Sequence, residues 1–371
     1  QSPEWPNFQF DLGQIQAILY DYAIEAGRVA GGMNQVRCLN RSEAVLDLMV
    51  DEAIRSSQIE GENLDRENVR SSIKNHLGLQ TPPKRIGDAK AEGMAALMVD
   101  VRKVYESPLT AEKLHHWHNM VMPRQENLVL TSNIKVDDWR DEPMKIVSGP
   151  IGYQTVHYEA PPPETVPAEM DRFLEWYNET SPTAGQRPLA GPVRAAIAHL
   201  WFESIHPYDD GNGRVGRAIA EHALSQDLGQ PLMMALSSSL SNKAKDYHQQ
   251  LNDASVGNLD VTPWVKWFSE ATLAAQQTAG ECLQFVLDKS RFWDNHADTT
   301  LNDRQVKAVN RIFKEGPNGF ENGINAQKYK SITGCSKASA TRDLADLVEK
   351  GALVRLPGEG RNTRYGLALD E

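Results

Sequence analysis

"HPYDDGNGRVGR", residues 206–217, is the stretch on which the reading of this chain turns. The run before it, from about Val193 to Ile205, is mostly apolar and reads as a buried helix. The run after it, "RVGRAIAEHALSQDL", reads as a second helix. Between them one histidine, two acids, three glycines and two arginines crowd into a single turn. Gly211 and Gly213 let the backbone approach a ligand and expose N–H groups at a helix N-terminus, which makes an anion site. Arg214 and Arg217, three apart on the first turn of that helix, both reach the oxygens of a polyphosphate. Asp210 is a hard oxygen ligand suited to Mg²⁺ bridging phosphates. His206, at the end of the preceding helix, titrates near neutral pH and can take a proton from a hydroxyl. Cradle, metal ligand and base together describe a nucleotide-dependent transfer to a nucleophile. A capped interhelical loop explains neither both arginines nor the histidine.

A second stretch, "SSQIEGE" (56–62), raises a question of charge. The preceding "SEAVLDLMVDEAIR" has apolar residues at Val45, Leu46, Met49, Val50 and Ala53, at helical spacing, with Ser42 as N-cap and Gly61 as the stop. Glu60 then lies in the last turn, where the backbone carbonyls already concentrate negative charge. It needs a cation elsewhere, and Arg217 is the natural candidate.

The 206–217 segment resembles the signature of the Fic family, H-P-F-x-D/E-G-N-G-R-x-x-R, with Tyr208 in place of the usual Phe. That ring is an apolar anchor whose hydroxyl needs a partner. The resemblance covers roughly residues 106–290. It implies transfer of AMP from ATP to a Ser, Thr or Tyr hydroxyl of a target protein, with release of pyrophosphate. In that case His206 is the general base and Asp210 holds Mg²⁺. Gly211, Asn212, Gly213 and Arg214 cradle phosphate, and Arg217 binds the outer phosphates. Two β-prone runs around a Gly-Pro turn at 145–160 read as a hairpin. In Fic proteins a hairpin there is a flap that aligns a target segment by strand pairing. "SSQIEG" is similar to the family's inhibitory helix, S/T-x-x-x-E-G/N, through Ser56, Glu60 and Gly61. The resemblance therefore makes Glu60 a built-in inhibitor that keeps Arg217 from the γ-phosphate. The same site admits the reverse reaction, a de-AMPylase with Glu60 positioning water, or transfer of another phosphate-containing group.

The chain of 371 residues is long enough for two or three domains, and 40% hydrophobic with 24% charged residues is ordinary for a globular protein. Its 50 acids against 39 bases argue against a protein that coats nucleic acid with its whole surface. Three scattered cysteines, Cys38, Cys282 and Cys335, fit a reducing compartment. No run approaches the ~18 apolar residues of a membrane span, and no signal peptide is visible, so a cytoplasmic protein without membrane partners is expected. The expected architecture is mostly α: an N-terminal helical region bearing the inhibitory helix (1–105), a helical core with the hairpin flap (106–292), and a C-terminal domain (298–371).

In that last segment "NDRQVKAVNRIFK", "NAQKYKSITG" and "SKASATRDLADLVEKG" read as three short helices, followed by two strands around a Gly-rich tip. This resembles a winged helix-turn-helix. Residues 300–371 hold 12 Lys/Arg and 9 Asp/Glu, whereas the rest of the chain holds 27 against 41. Ser336 caps the recognition helix, with Lys337, Ser339, Thr341 and Arg342 near its start. Arg355, Arg361 and Arg364 line the wing, and Asp343 and Glu359 interrupt the patch. DNA binding and protein docking both fit, as does a homodimer, and a nucleotide-sensing DNA-binding regulator is the rival from another functional class. Two histidine groups offer weaker metal readings. His115, His116 and His118 lack a third ligand at helical spacing, and His199, Glu203 and His206 share a face without the H-E-x-x-H order of a zinc hydrolase.

Overall fold

The computed structural model describes residues 4–35, 38–122, 137–148, 155–182, 186–316, 320, 323–357 and 363–369. The elements follow in the order α1 (Gln16–Gln35), α2 (Cys38–Ile59), α3 (Arg66–His76), α4 (Ala89–Lys103), α5 (Ala111–Val121), β1 (Lys145–Ser148), β2 (Thr155–Glu159) and α6 (Val166–Glu179). Then come α7 (Gly191–Ile205), α8 (Asn212–Leu228), α9 (Leu236–Asn242), α10 (Ala244–Val256), α11 (Thr262–Asn295), α12 (Asp303–Lys314), α13 (Ala326–Thr333), α14 (Lys337–Glu349), β3 (Leu353–Arg355) and β4 (Tyr365–Leu367). The fold is mostly α-helical, and it divides into two compact units. The first comprises Gln1–Ala30 and Val45–Ala279, the second Gly31–Ala44 and Gly280–Glu371.

The first unit is built around α7, which is buried on every side apart from Glu203. A helix without a polar face belongs in a core, and α7 packs against α6, α8 and α10. Leu46, Met49, Val50 and Ala53 of α2 join the same core as Trp117 of α5 and Phe202 of α7. Helix starts follow local chemistry: Asp65, Asp88 and Thr110 each accept a hydrogen bond from the first turn of the helix that follows. Ser42 departs from expectation. Helix α2 begins at Cys38, so Ser42 lies inside it; neither proline nor glycine separates the two positions, and nothing breaks the helical ladder. At the other end α2 stops at Ile59, and Gly61 takes the left-handed conformation, φ +78°.

β1 and β2 pair antiparallel, Lys145 with Glu159 and Ser148 with Thr155, with an irregularity between Ile146 and Val147. The turn expected at 149–154 lies outside the described residues. Arg140 and Tyr158 tie this segment to the core through the contacts given below.

In the second unit α12, α13 and α14 enclose Val309, Ile312, Phe313, Tyr329, Leu344 and Leu347, and β3 pairs antiparallel with β4. Asn302 and Gln305 form a reciprocal cap on α12, and Ser336 caps α14 by accepting from Ser339 N at 3.1 Å. Asp343 does not interrupt a surface patch. It is 7% exposed, accepting from Arg304 at 2.8 and 3.1 Å and from the Tyr329 hydroxyl at 3.0 Å. Its position on α14, between Ala340 and Leu347 on the core-facing stripe, accounts for this. Glu359 and Arg361 of the expected wing tip lie outside the described residues. Among the described residues no helix is long and apolar enough to cross a membrane.

Candidate active site

The loop joining α7 to α8 is held in a shape that it could not keep alone. His206 has φ +51°, the left-handed region that costs a non-glycine residue free energy, and Gly211 has φ +84°. Buried Arg140 acts as a clamp. Its backbone N–H donates to Pro207 O (2.8 Å), its Nε to His206 O (2.8 Å), and its two Nη atoms to Glu142 O (2.8 Å) and Pro161 O (2.6 Å). The Tyr158 hydroxyl on β2 donates to Ser204 O. Tyr208 is fully buried, stacked 3.8 Å from His118, and its hydroxyl meets His115 Nδ1 at 3.2 Å, which supplies the partner its ring substitution requires. His118 Nε2 lies 3.0 Å from Asp210 O. These histidines pack and orient the loop. Asn212 does the same: its Oδ1 accepts from Tyr208 N (3.0 Å) and its Nδ2 donates to Tyr208 O (2.7 Å). Its side chain therefore shapes the cradle and leaves anion contact to the backbone.

His206 Nδ1 faces Glu203 O at 3.4 Å, with Glu203 Oε2 at 3.9 Å. A carbonyl only accepts, so Nδ1 carries the hydrogen and Nε2 keeps its lone pair. Burial lowers the pKa of His206 to about 4, leaving it neutral at neutral pH. The side chain is 16% exposed. The arrangement leaves a neutral imidazole whose Nε2 can accept a proton. Asp210 is the most open group of the set, 59% exposed, with Oδ1 accepting from Gly211 N at 2.6 Å and lying 3.7 Å from Arg214 Nη2.

The two arginines are buried, and each is met by an acid from the segment after α2. Arg217 donates from Nε to Ser56 Oγ (2.9 Å), from Nη2 to Ser56 O (2.8 Å) and from Nη1 to Glu60 Oε1 (2.8 Å). Burial disfavours its charge, but Glu60, Tyr247 and Glu203 outweigh that and raise its pKa. Burial likewise pushes the Glu60 carboxyl up, yet Arg217, Arg214 and His248 together hold it below the usual carboxylate range. Glu60 Oε1 stands 2.2 Å from where a Cβ on Gly213 would be. The carboxylate thus occupies the anion seat on the first turn of α8, against the one position there that lacks a side chain. Arg214 Nη1 donates to Glu62 Oε2 at 2.9 Å, and Lys90 Nζ reaches the other Glu62 oxygen at 2.6 Å. Arg214 Nε is buried without a hydrogen-bond partner.

The structure therefore brings Ser56, Glu60, Gly61, His206, Asp210, Gly211, Asn212, Gly213, Arg214 and Arg217 into one site. Sequence reasoning missed Glu62 and Arg140, and it met Glu203 only as part of a weak metal reading with His199 and His206. For Glu62 a signal existed, an acid two positions beyond Glu60 and past the helix stop. A lone arginine in "DDWRDEP" carries no local signal. His199 and Glu203 lie close to Gly216, with His199 Nε2 2.6 Å from the Tyr247 hydroxyl.

Residues 108–224 match the Fic/DOC family, and residues 1–79 match a domain of unknown function, DUF4172. The chain is 34% identical over 113 residues to Protein adenylyltransferase Fic of Culex quinquefasciatus, covering 30% of this chain and 20% of that protein. It is 39% identical over 67 residues to Uridine 5'-monophosphate transferase of Xanthomonas campestris pv. campestris (strain 8004), covering 18% and 12%. It thus spans a fifth or less of the length of either relative. Its fold is similar to that of a Fic family protein from Desulfovibrio desulfuricans G20, with a TM-score of 0.51 at 20% identity over 94% of this chain and 95% of that one.

Proposed function

We propose that this chain, a Fic-family protein through residues 108–224, moves AMP from ATP to a hydroxyl of a target protein and that Glu60 restrains it. One observation carries the reading: a carboxylate of the chain itself sits on Arg217 at the N-terminus of α8, where a phosphate is best received, beside a neutral histidine. In the active state triphosphate oxygens replace Glu60 on Arg217 and Glu62 on Arg214, and the backbone amides of the first turn of α8 take the remaining charge. The target hydroxyl oxygen bonds to the α-phosphorus as the bond from that phosphorus to the bridging oxygen breaks. His206 Nε2 takes the hydroxyl proton, and pyrophosphate leaves. Mg²⁺ keeps much of its water and needs one or two protein carboxylates beside substrate phosphates; Asp210, exposed at the mouth of the cradle, fits that demand. When bound, the ion neutralises phosphate charge. The hairpin β1–β2, fastened to α7 by Tyr158, is suited to aligning a target segment by strand addition.

The relative named as a uridine monophosphate transferase supports a second reading in which the donor is another nucleotide. Both readings are tested together by incubating wild type and Glu60→Gly with cell lysate and α-labelled ATP or UTP. A tethered carboxylate competes at an effective concentration of the order of millimolar. At ATP below about a millimolar, Glu60→Gly should therefore raise protein labelling ~10-fold or more. Labelling from UTP alone would replace the donor. A folded Glu60→Gly that labels nothing would overturn the transfer reading, and loss of AMP from pre-labelled protein with wild type alone would reverse its direction.

A further inference from the structure

We propose that Glu203 is a positioning residue for His206: its carboxylate stands behind the imidazole and stabilises the imidazolium formed when Nε2 takes the hydroxyl proton. The inference rests on the transfer reading above. It starts from an acid that has no structural reason to be where it is. Every other residue of α7 is buried, and the Glu203 side chain is itself only 11% exposed. It lies in the last turn, where the helix dipole disfavours a negative charge. Its Oε1 is buried without a hydrogen-bond partner, and such groups in folded proteins call for an explanation.

The surroundings supply one. The charged and titratable groups near this carboxyl come from every neighbouring element: His199 and His206 from α7, Arg217 from α8, Glu60 beyond α2, and Tyr247 from α10. Arg217 is already engaged by Ser56 and Glu60; His199 meets Tyr247 through Nε2, while its Nδ1, near Gly216 like Glu203 Oε1, is buried without a hydrogen-bond partner. His206 Nδ1, 3.9 Å away, is the group whose charge changes during the reaction. Burial and Arg140 disfavour an imidazolium here, and Glu60 and Asp210 offset that only in part, Glu60 being absent once the restraint is removed. Burial, with Glu60 adding to it and Arg217 opposing, raises the Glu203 pKa to about 8, so its carboxylate forms only as pH rises towards 8, while His206, lowered to about 4, stays neutral.

The test uses the full chain in the Glu60→Gly background, where turnover is measurable. Glu203→Gln keeps the shape and removes the charge. It should lower kcat for AMP transfer roughly 10- to 100-fold and leave KM for ATP unchanged, because the carboxylate acts after ATP is seated. The rise of kcat/KM with pH below about 8 should disappear with it. Glu203→Asp should keep that rise and recover part of kcat. The His206 ring resonances, followed by NMR, should report an ionisation near pH 8 that Glu203→Gln removes, a change that a merely structural role leaves absent. If Glu60→Gly is active and Glu203→Gln matches it in kcat and pH profile, the proposal fails alone. A lowered melting temperature with kcat and KM changing together would also overturn it. If Glu60→Gly does not transfer AMP at all, the transfer reading fails and this proposal goes with it.

Discussion

At the scale of single residues, Glu60 is explained by what it touches. A carboxylate at the end of α2 is locally unfavourable, and a buried guanidinium without a partner costs far more, so the Arg217 pair relieves both. His206→Asn in the Glu60→Gly background tests the base. Asparagine tolerates the left-handed backbone at this position better than alanine does. Turnover should drop 10²-fold or more while ATP binding by calorimetry persists, since a base acting on the incoming hydroxyl touches little of ground-state ATP. Glu62→Ala tests the second acid. Its pair with Arg214 is 21% exposed on the Glu62 side, and Asp210 also lies near that arginine, so labelling should rise only about 2- to 5-fold over wild type. A gain equal to that of Glu60→Gly would mean that Glu62 is the main restraint. His206, Asp210 and both arginines were legible because chemistry at one turn demands those types at that spacing. Glu203 was legible only as an acid on a helix face, since its meaning depends on the ring three positions on and on the burial of both.

At the scale of elements, the N-terminus of α8 is held by Arg140, His118 and Asn212 through the loop that precedes it. Gly213 there has a negative φ, so alanine suits its backbone and brings a helix-propensity gain of about 0.5–1 kcal/mol. Its new Cβ, however, would stand 2.2 Å from Glu60 Oε1, in the space that the transfer proposal gives to a phosphate. Gly213→Ala should keep the melting temperature near that of wild type, because the long Glu60 side chain can move aside. It should not activate the enzyme, and added to Glu60→Gly it should cut labelling ~10-fold or more. Activation by Gly213→Ala alone would show that displacing Glu60 is sufficient and that the seat itself is dispensable. Helix starts at Thr110 and Ser336 were legible because a side-chain cap is a local interaction. Ser42 was misread because a capping residue is also tolerated inside a helix, and only the upstream chain decides which role it takes.

At the scale of the whole molecule, the buried titratable groups set how the first unit responds to pH. Burial lowers His199 and His222 to about 3 and His206 to about 4, against 6.5 for the exposed side chain. The unfolded chain therefore takes up these protons first, and stability present above pH 6.5 is lost as pH falls towards 3. Glu203 works in the opposite sense: raised from 4.5 to about 8, it is protonated in the fold, and stability is lost as pH rises through that range. The melting temperature should peak near pH ~6.5 and fall on both sides, the three histidines acting on the acid side and Glu203 with Glu221, raised to about 7, on the alkaline side. A profile that rises steadily from pH 4 to 9 would contradict the burial of these groups. The second unit holds the basic residues that the sequence sets on its recognition helix and wing, and Asp343 is turned inward there as a tie for Arg304 and Tyr329. The sequence alone determined the helical class, the interhelical loop with its histidine, glycines, arginines and carboxylate, and the acid in need of a cation, because each follows from neighbours a few positions apart. Tertiary structure alone decided that both acids of "EGE" reach the two arginines, that Arg140 and His118 hold the loop, and that Glu203 stands behind His206 in a water-poor site. Those contacts join residues up to about 160 positions apart, and their strength depends on burial, which no local pattern encodes.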